Sequence, residues 1–140
     1  MALPIKNGKI TTAYKKPGKM WSKGYHTGVD FAQPVGTPVY AVQDGTVTAA
    51  NWGKAYGTQI VIDQKPLNDG TPNRIAGGWA IYAHLSKSLV KAGQAVKKGD
   101  LIGHVGSTGN SSGAHLHFEV RNNVRWSAGT EVDPNPFIKA

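Results

Sequence analysis

The sequence predicts an all-β domain. Short runs rich in Val, Ile, Thr and Tyr recur at turn-spaced intervals. Eighteen glycines and eight prolines are scattered between those runs instead of clustered. No stretch sustains a helical period. The pattern gives about seven short strands, with no internal repeat and no linker, and points to an all-β single domain. A length of 140 residues fits one domain spanning 1–140.

Residues 9–14 read as a first short strand, and 15–24 as a loop around Pro17 and Gly18. Residues 24–31, GYHTGVDF, set His26 and Asp30 four apart. Gly28 interrupts that run and β-branched Thr27 and Val29 flank it, so a loop or irregular strand is expected rather than a helix face. A turn at 34–38 leads into a strand at 39–42. Asp44-Gly45 is a hairpin signal, with 46–52 as the return strand.

A turn at 53–57 precedes a strand at 58–63. Residues 64–78 form a long polar loop, a feature that in a compact domain is often functional. A strand at 79–85 would put Tyr82 and His84 on one face. Residues 86–99 read as mostly loop, with room at 90–96 for one turn of helix that Gly93 limits. A strand follows at 101–105.

The glycine- and serine-rich loop 106–113 opens into GAHLHFEV, the stretch the chain is organised around. With period two, His115, His117 and Glu119 point one way and Leu116, Phe118 and Val120 the other. One face would pack on a core; the other would carry two imidazoles. The tail after Val120 reads as irregular, with Phe137 and Ile138 tying the end to the core.

Composition narrows the chemistry. There are no cysteines, which removes disulfides, thiolate nucleophiles and Cys-type zinc sites together. Any metal must be held by His, Asp or Glu. The net charge is +8, and Lys6, Lys9, Lys15, Lys16, Lys19 and Lys23 all precede Asp30, the first acidic residue. Such a patch attracts polyanions, with the anionic polymers of a bacterial envelope as one candidate. No motif for nucleic-acid recognition accompanies the lysines, so no specific nucleic-acid partner is expected. No apolar run is long enough for a membrane span. The start lacks an apolar signal segment, so exit from the cell by another route or excision from a longer protein is expected.

A hydrolytic zinc site needs three protein ligands and an open position for water. His26, Asp30 and His117 would supply two imidazoles and a carboxylate. His115 and His84 would then be left to handle protons.

These residues carry a family resemblance. Residues 24–31 with 34–41 (PVGTPVYA), 81–86 (IYAHLS), 96–103 (VKKGDLIG) with 106–109 (GSTG), and 113–120 (GAHLHFEV) resemble, in order, the motifs of the lysostaphin-type, LytM-like zinc endopeptidases. Each motif alone has modest specificity; the ordered set is highly specific. The resemblance implies an antiparallel sheet with long loops walling a groove. It implies His26, Asp30 and His117 as ligands of one zinc ion per chain. It implies His115 as general base, and His84 as the group that orients water or stabilises the tetrahedral intermediate. His104 matches no position in the motifs.

The implied activity is hydrolysis of peptide bonds in bacterial peptidoglycan, in cross-bridges or stem peptides, at the cell wall outside the membrane. A phage lysin or tail-associated lysin, acting as a monomer, would suit a short cationic chain. An asparagine from an upstream segment that covers the zinc in some members is not expected among the 25 residues before His26. The alternative is an inactive relative that binds wall, disfavoured because no ligand or catalytic position is missing. A wall carboxypeptidase or amidase fits the motif order less well. Trp52, Trp79 and Trp126 are read as packing residues rather than groove lining.

Overall fold

The computed structural model describes residues 3–13, 17, 28–49, 54–65, 78–109, 111, 113–121, 131–132, 134 and 138. Among these, nine strands form one sheet: β1 Val29–Ala32, β2 Pro38–Tyr40, β3 Gly45–Val47, β4 Thr58–Gln64, β5 Trp79–Ser88, β6 Ala95–Val96, β7 Leu101–Val105, β8 His115–Arg121 and β9 Glu131–Val132. Every pairing is antiparallel. The helical content of the described strands and connections is a single 3₁₀ turn at Lys54–Tyr56. The expected all-β antiparallel architecture is the one observed. No helix among the described residues is long and apolar enough to cross a membrane.

The sheet runs β1-β8-β5-β4-β3-β6, with β7 bridging β2 and β5 and β9 extending β8. β5 is the central strand. Its first half lies between β4 and β8, and its far end pairs with β7. One face builds the core: Leu116, Phe118 and Val120 of β8 pack with Val29 and Phe31 of β1, Tyr82 and Leu85 of β5, and Ile60 and Ile62 of β4. Burying a Phe or Leu of this kind contributes about 1.5–3 kcal/mol. The Tyr82 ring stacks at a tilt on Phe118, 5.1 Å between centroids, and its hydroxyl accepts the Val42 N–H at 3.0 Å. A buried phenol needs such a partner. Ile138 closes the core as expected of the tail; Phe137 lies outside the described residues.

The opposite face holds a smaller apolar group, Val61, Ile81 and Ala83, against which Tyr56 and Trp79 pack. Trp79 is therefore a packing residue; Trp52 and Trp126 lie outside the described residues. This second face also buries charge. Glu119 and Arg121 are 0% exposed, so β8 is covered on both faces rather than half-buried.

Several local expectations change. The hairpin expected at Asp44-Gly45 does not form: β2 pairs with β7, while β3 pairs with β4 and β6. Asp44 is instead tied elsewhere, its carboxylate accepting from the Lys98 N–H and its carbonyl from Lys65 N–H. Among the described residues the expected return strand is Gly45–Val47, and 50–52 lie outside them. Residues 90–96 form no helix. The Gly93 N–H bonds the Val47 carbonyl, a φ of +91° turns the chain there, and Ala95–Val96 pairs with β3. Residues 9–13 carry a single bridge, Thr12 to Asp30, instead of a strand. Most of the 64–78 loop lies outside the described residues.

Candidate active site

The site forms on the second face, where β1, β5, β8 and the loop after β7 meet. β1 pairs with β8 so that Asp30 stands opposite His117. The approach needs Gly28: a Cβ there would lie 2.3 Å from the Phe118 carbonyl oxygen and 3.0 Å from the His117 ring. The Asp30 backbone is held from its other edge by Thr11, whose N–H and hydroxyl both donate to the Asp30 carbonyl.

His117 links two carboxylates. Its Nδ1 lies 2.9 Å from Asp30 Oδ1 and its Nε2 lies 2.9 Å from Glu119 Oε1. Burial alone would lower the pKa of this imidazole. The hydrogen bonds to Asp30 and Glu119 and their negative charges outweigh that and raise it to about 9. Both ring nitrogens therefore carry protons in the metal-free protein.

His115 stands two residues earlier on the same face. Its Nδ1 is 2.8 Å from the Gly113 carbonyl and 3.3 Å from Ser111 Oγ, and its Nε2 is 3.8 Å from Asp30 Oδ1. A carbonyl only accepts, so Nδ1 carries the proton and Nε2 presents its lone pair to the site in the neutral ring.

His84 arrives by an unexpected route. Ala83 pairs with His117, so strict alternation would return His84 to the core face beside Tyr82. Instead His84 takes φ +61°, the ladder to β4 shifts register across it, and the ladder to β7 shifts just beyond, between Leu85 and Lys87. The bulge keeps Tyr82 and Leu85 in the core and turns the His84 ring onto the site face. Its centroid lies 4.7 Å from that of His115 and 6.1 Å from that of His117. The expectation that Tyr82 and His84 share a face is thus corrected. His84 Nδ1 donates to the Thr108 carbonyl at 2.7 Å. Desolvation is the main cause lowering its pKa to about 4, so the ring is neutral at pH 7 with its Nε2 lone pair intact.

Three histidines and one aspartate from distant segments thus converge. His26 lies outside the described residues, and no group of three possible metal ligands occurs among those described. The pair that is described suits a zinc ion. A tetrahedral ion with bonds near 2.0–2.1 Å separates two ligand atoms by roughly 3.3 Å, close to the 2.9 Å between Asp30 Oδ1 and His117 Nδ1. An imidazole and a carboxylate are the donors zinc takes in hydrolytic sites. His104 is engaged elsewhere, through Nδ1 to the Gly36 carbonyl at 3.0 Å.

The sequence reading missed three residues beside the site. Tyr56 donates its hydroxyl to Glu119 Oε1 at 2.8 Å, Arg121 Nε bonds Glu119 Oε2, and Arg121 Nη2 reaches the Tyr56 hydroxyl at 3.4 Å. Desolvation, then the charge of Glu119, pushes the Tyr56 phenol up to about 12. The Tyr56 ring meets His117 edge-on at 5.8 Å. The signal available was the period-two pattern itself, which continues past His117 to Glu119 and Arg121.

Known proteins resemble the chain over this whole region. Glycyl-glycine endopeptidase ALE-1 of Staphylococcus capitis is 44% identical over 118 residues, which is 84% of this chain and 30% of that protein. The chain thus spans under a third of that relative's length. The crystallised catalytic domain of lysostaphin from Staphylococcus simulans superposes with a TM-score of 0.78 at 39% identity, covering 96% of this chain and 94% of that one. A zinc-containing peptidase from Vibrio cholerae superposes with a TM-score of 0.71 at 33% identity, covering 100% of this chain and 40% of that one. Residues 24–134 match the model of one family, and with that match added to the shared fold the chain belongs to Peptidase family M23.

Proposed function

We propose that the chain is a zinc-dependent endopeptidase, a single catalytic domain over 1–140 that cuts peptide bonds in bacterial peptidoglycan. The observation that carries this reading is the convergence of Asp30, His84, His115 and His117, drawn from three strands, on one face of the sheet. The family, together with a Vibrio cholerae relative named as a peptidoglycan DD-endopeptidase, supports the substrate class. His26, Asp30 and His117 would hold one zinc ion. Bound there, zinc supplies a Lewis acid that polarises a carbonyl and acidifies water.

The chain's own groups divide the remaining work. As a ligand His117 would be singly protonated, with the proton on Nε2 donated to Glu119. His115 takes the proton of the attacking water at Nε2, because Nδ1 is committed to Gly113. His84 holds that water by accepting at Nε2, because its own proton is committed to Thr108. Of the two roles implied for His84, water orientation is the one a neutral ring of this tautomer can perform.

The setting is the cell wall, outside the membrane. The chain acts there as a monomer, as a phage lysin or tail-associated lysin, and its basic surface draws it to anionic wall polymers.

The test is digestion of two chemically distinct peptidoglycans, one glycine-bridged and one directly cross-linked through diaminopimelate, with released fragments read by mass spectrometry. Peptide-bond cleavage in at least one, abolished by chelation and restored by zinc, is expected. No cleavage of either wall by zinc-loaded protein, or cleavage indifferent to chelation, would sink the reading.

A further inference from the structure

β8 does not stop being functional at His117. Glu119 and Arg121 follow on the same face, and both are wholly buried. Burying an ion pair is weak support for stability, since apolar residues of similar volume often serve as well. What distinguishes this pair is its direction. Glu119 Oε1 accepts from His117 Nε2 at 2.9 Å and from the Tyr56 hydroxyl at 2.8 Å, while Oε2 accepts from Arg121 Nε. Arg121 Nη2 closes the ring of contacts on the Tyr56 hydroxyl. The contacts of Glu119 just named either anchor the carboxylate or join it to His117, and the Arg121–Tyr56 contact links its two anchors.

We propose that Glu119 is the positioning residue of the metal centre, with Arg121 and Tyr56 as its clamp: it pins the proton of His117 on Nε2 and so fixes Nδ1, facing Asp30, as the metal-binding nitrogen. Imidazole can bind a metal through either nitrogen, and the hydrogen bond on one decides which. An ionised acceptor on Nε2 also makes the opposite nitrogen a stronger donor. Arg121 balances the charge of Glu119, so the carboxylate acts on His117 without adding a net negative charge to the site. Tyr56 fixes the angle of the oxygen that His117 uses. This inference rests on Asp30 and His117 being metal ligands.

The experiment measures zinc affinity by competition with a chromophoric chelator, beside thermal unfolding. Glu119→Gln keeps the shape, removes the charge and sets an amide N–H₂ against a donor of Arg121. It should weaken zinc binding by about 10- to 100-fold, the usual effect of removing such an outer partner. Ile102→Ala, a cavity in the core cluster that does not include Tyr56, should lower the unfolding temperature and leave zinc affinity as in the parent. Zinc affinity of Glu119→Gln within about twofold of the parent, outside the range expected for an outer partner, overturns the proposal. If Glu119→Gln does not fold, Tyr56→Phe decides: weaker zinc binding supports the clamp, and parental affinity overturns it. A parent that binds no zinc, or His117→Ala binding as tightly as the parent, would instead overturn the metal-site reading itself and this inference with it.

Discussion

The Thr108 carbonyl accepts the Nδ1 proton of His84 at 2.7 Å, and this one bond ties a strained strand residue to a loop 24 positions away. Thr108 is itself held. Its hydroxyl donates to the Leu85 carbonyl at 2.7 Å and accepts the Thr58 N–H at 3.0 Å. His84, the bulge in β5 and the loop after β7 are therefore one mechanical unit. Its purpose is to present a neutral imidazole beside His115.

Removing the His84 ring should leave the metal half of the site intact. His84→Ala is expected to keep its zinc and its fold while losing turnover by roughly a hundredfold or more, the usual worth of a positioned proton-handling group. His84→Gly should be at least as stable as His84→Ala, because φ +61° suits glycine. His104→Ala, whose ring bonds only Gly36 among the contacts described above, should keep most activity. Initial rates, zinc content and unfolding temperature together check this. Equal activity in the His84 and His104 variants would remove His84 from the mechanism.

The loop that carries Thr108 depends on a close backbone contact. Gly109 has φ +74°, and a Cβ on it would lie 2.4 Å from the Gly57 nitrogen and 2.6 Å from the Ala55 carbonyl. Gly109→Ala should therefore push the 54–57 turn from the loop and move Thr108. Strain of this type costs about 1–3 kcal/mol, and turnover should fall by more than the stability loss explains. Gly93→Ala is the control. Its φ is +91° but nothing lies within 4 Å of the added Cβ, so it should lose stability without losing turnover per folded molecule. If both variants keep parental turnover, the loop does not position His84.

Protonation of His117 gives the metal-free protein a pH signature. The folded pKa is raised to about 9 from an ordinary 6.5, by Asp30 and Glu119 acting against burial. A raised folded pKa stabilises fully below the unfolded value and fades as pH climbs through the folded one. In the presence of chelator, the unfolding temperature of the parent minus that of His117→Ala should be constant below about pH 6.5 and shrink towards pH 9. A difference that grows with pH over this window would contradict the two-carboxylate arrangement.

The sequence made most of the sheet legible because its strands obey simple patterns. Thr58–Gln64 and Leu101–Val105 lie within a residue of their expected bounds or match them, and His115–Arg121 lies within two of 113–120, since each carries core-facing apolar residues: Ile60 and Ile62, Ile102 and Val105, and Leu116, Phe118 and Val120. The outcome at Asp44 was not legible, because the hairpin signal is local and the bonds that defeat it come from Lys65 and Lys98. His84 was placed on the wrong face for a related reason. A bulge is a property of two neighbouring ladders, and period-two counting along one strand cannot register it. Glu119 and Arg121 were read past because an alternating polar face looks solvated until Tyr56, 63 residues from Glu119, is seen to cover it. Asp30, His115 and His117 meet as the H-x-H spacing and the motif order suggested, while the place of His26 lies outside the described residues.

The two histidines of the organising strand should separate cleanly when substituted. They share a face, yet their hydrogen bonds differ in kind. His117 has a carboxylate on each nitrogen, one of them Asp30, the arrangement of a ligand with its outer partner. His115 spends Nδ1 on the Gly113 carbonyl and keeps Nε2 3.8 Å from Asp30, without a carboxylate partner at hydrogen-bond distance among the contacts described. His117→Ala should therefore bind zinc poorly and be inactive. His115→Ala should keep about one zinc per chain, since three ligands remain, and still lose turnover by roughly a hundredfold to ten-thousandfold. Elemental analysis and initial rates on peptidoglycan, with circular dichroism to establish folding, read the two effects separately. Loss of zinc from His115→Ala with retention in His117→Ala would reverse the roles. Retention of both zinc and activity in both variants would remove the metallopeptidase chemistry from this strand altogether.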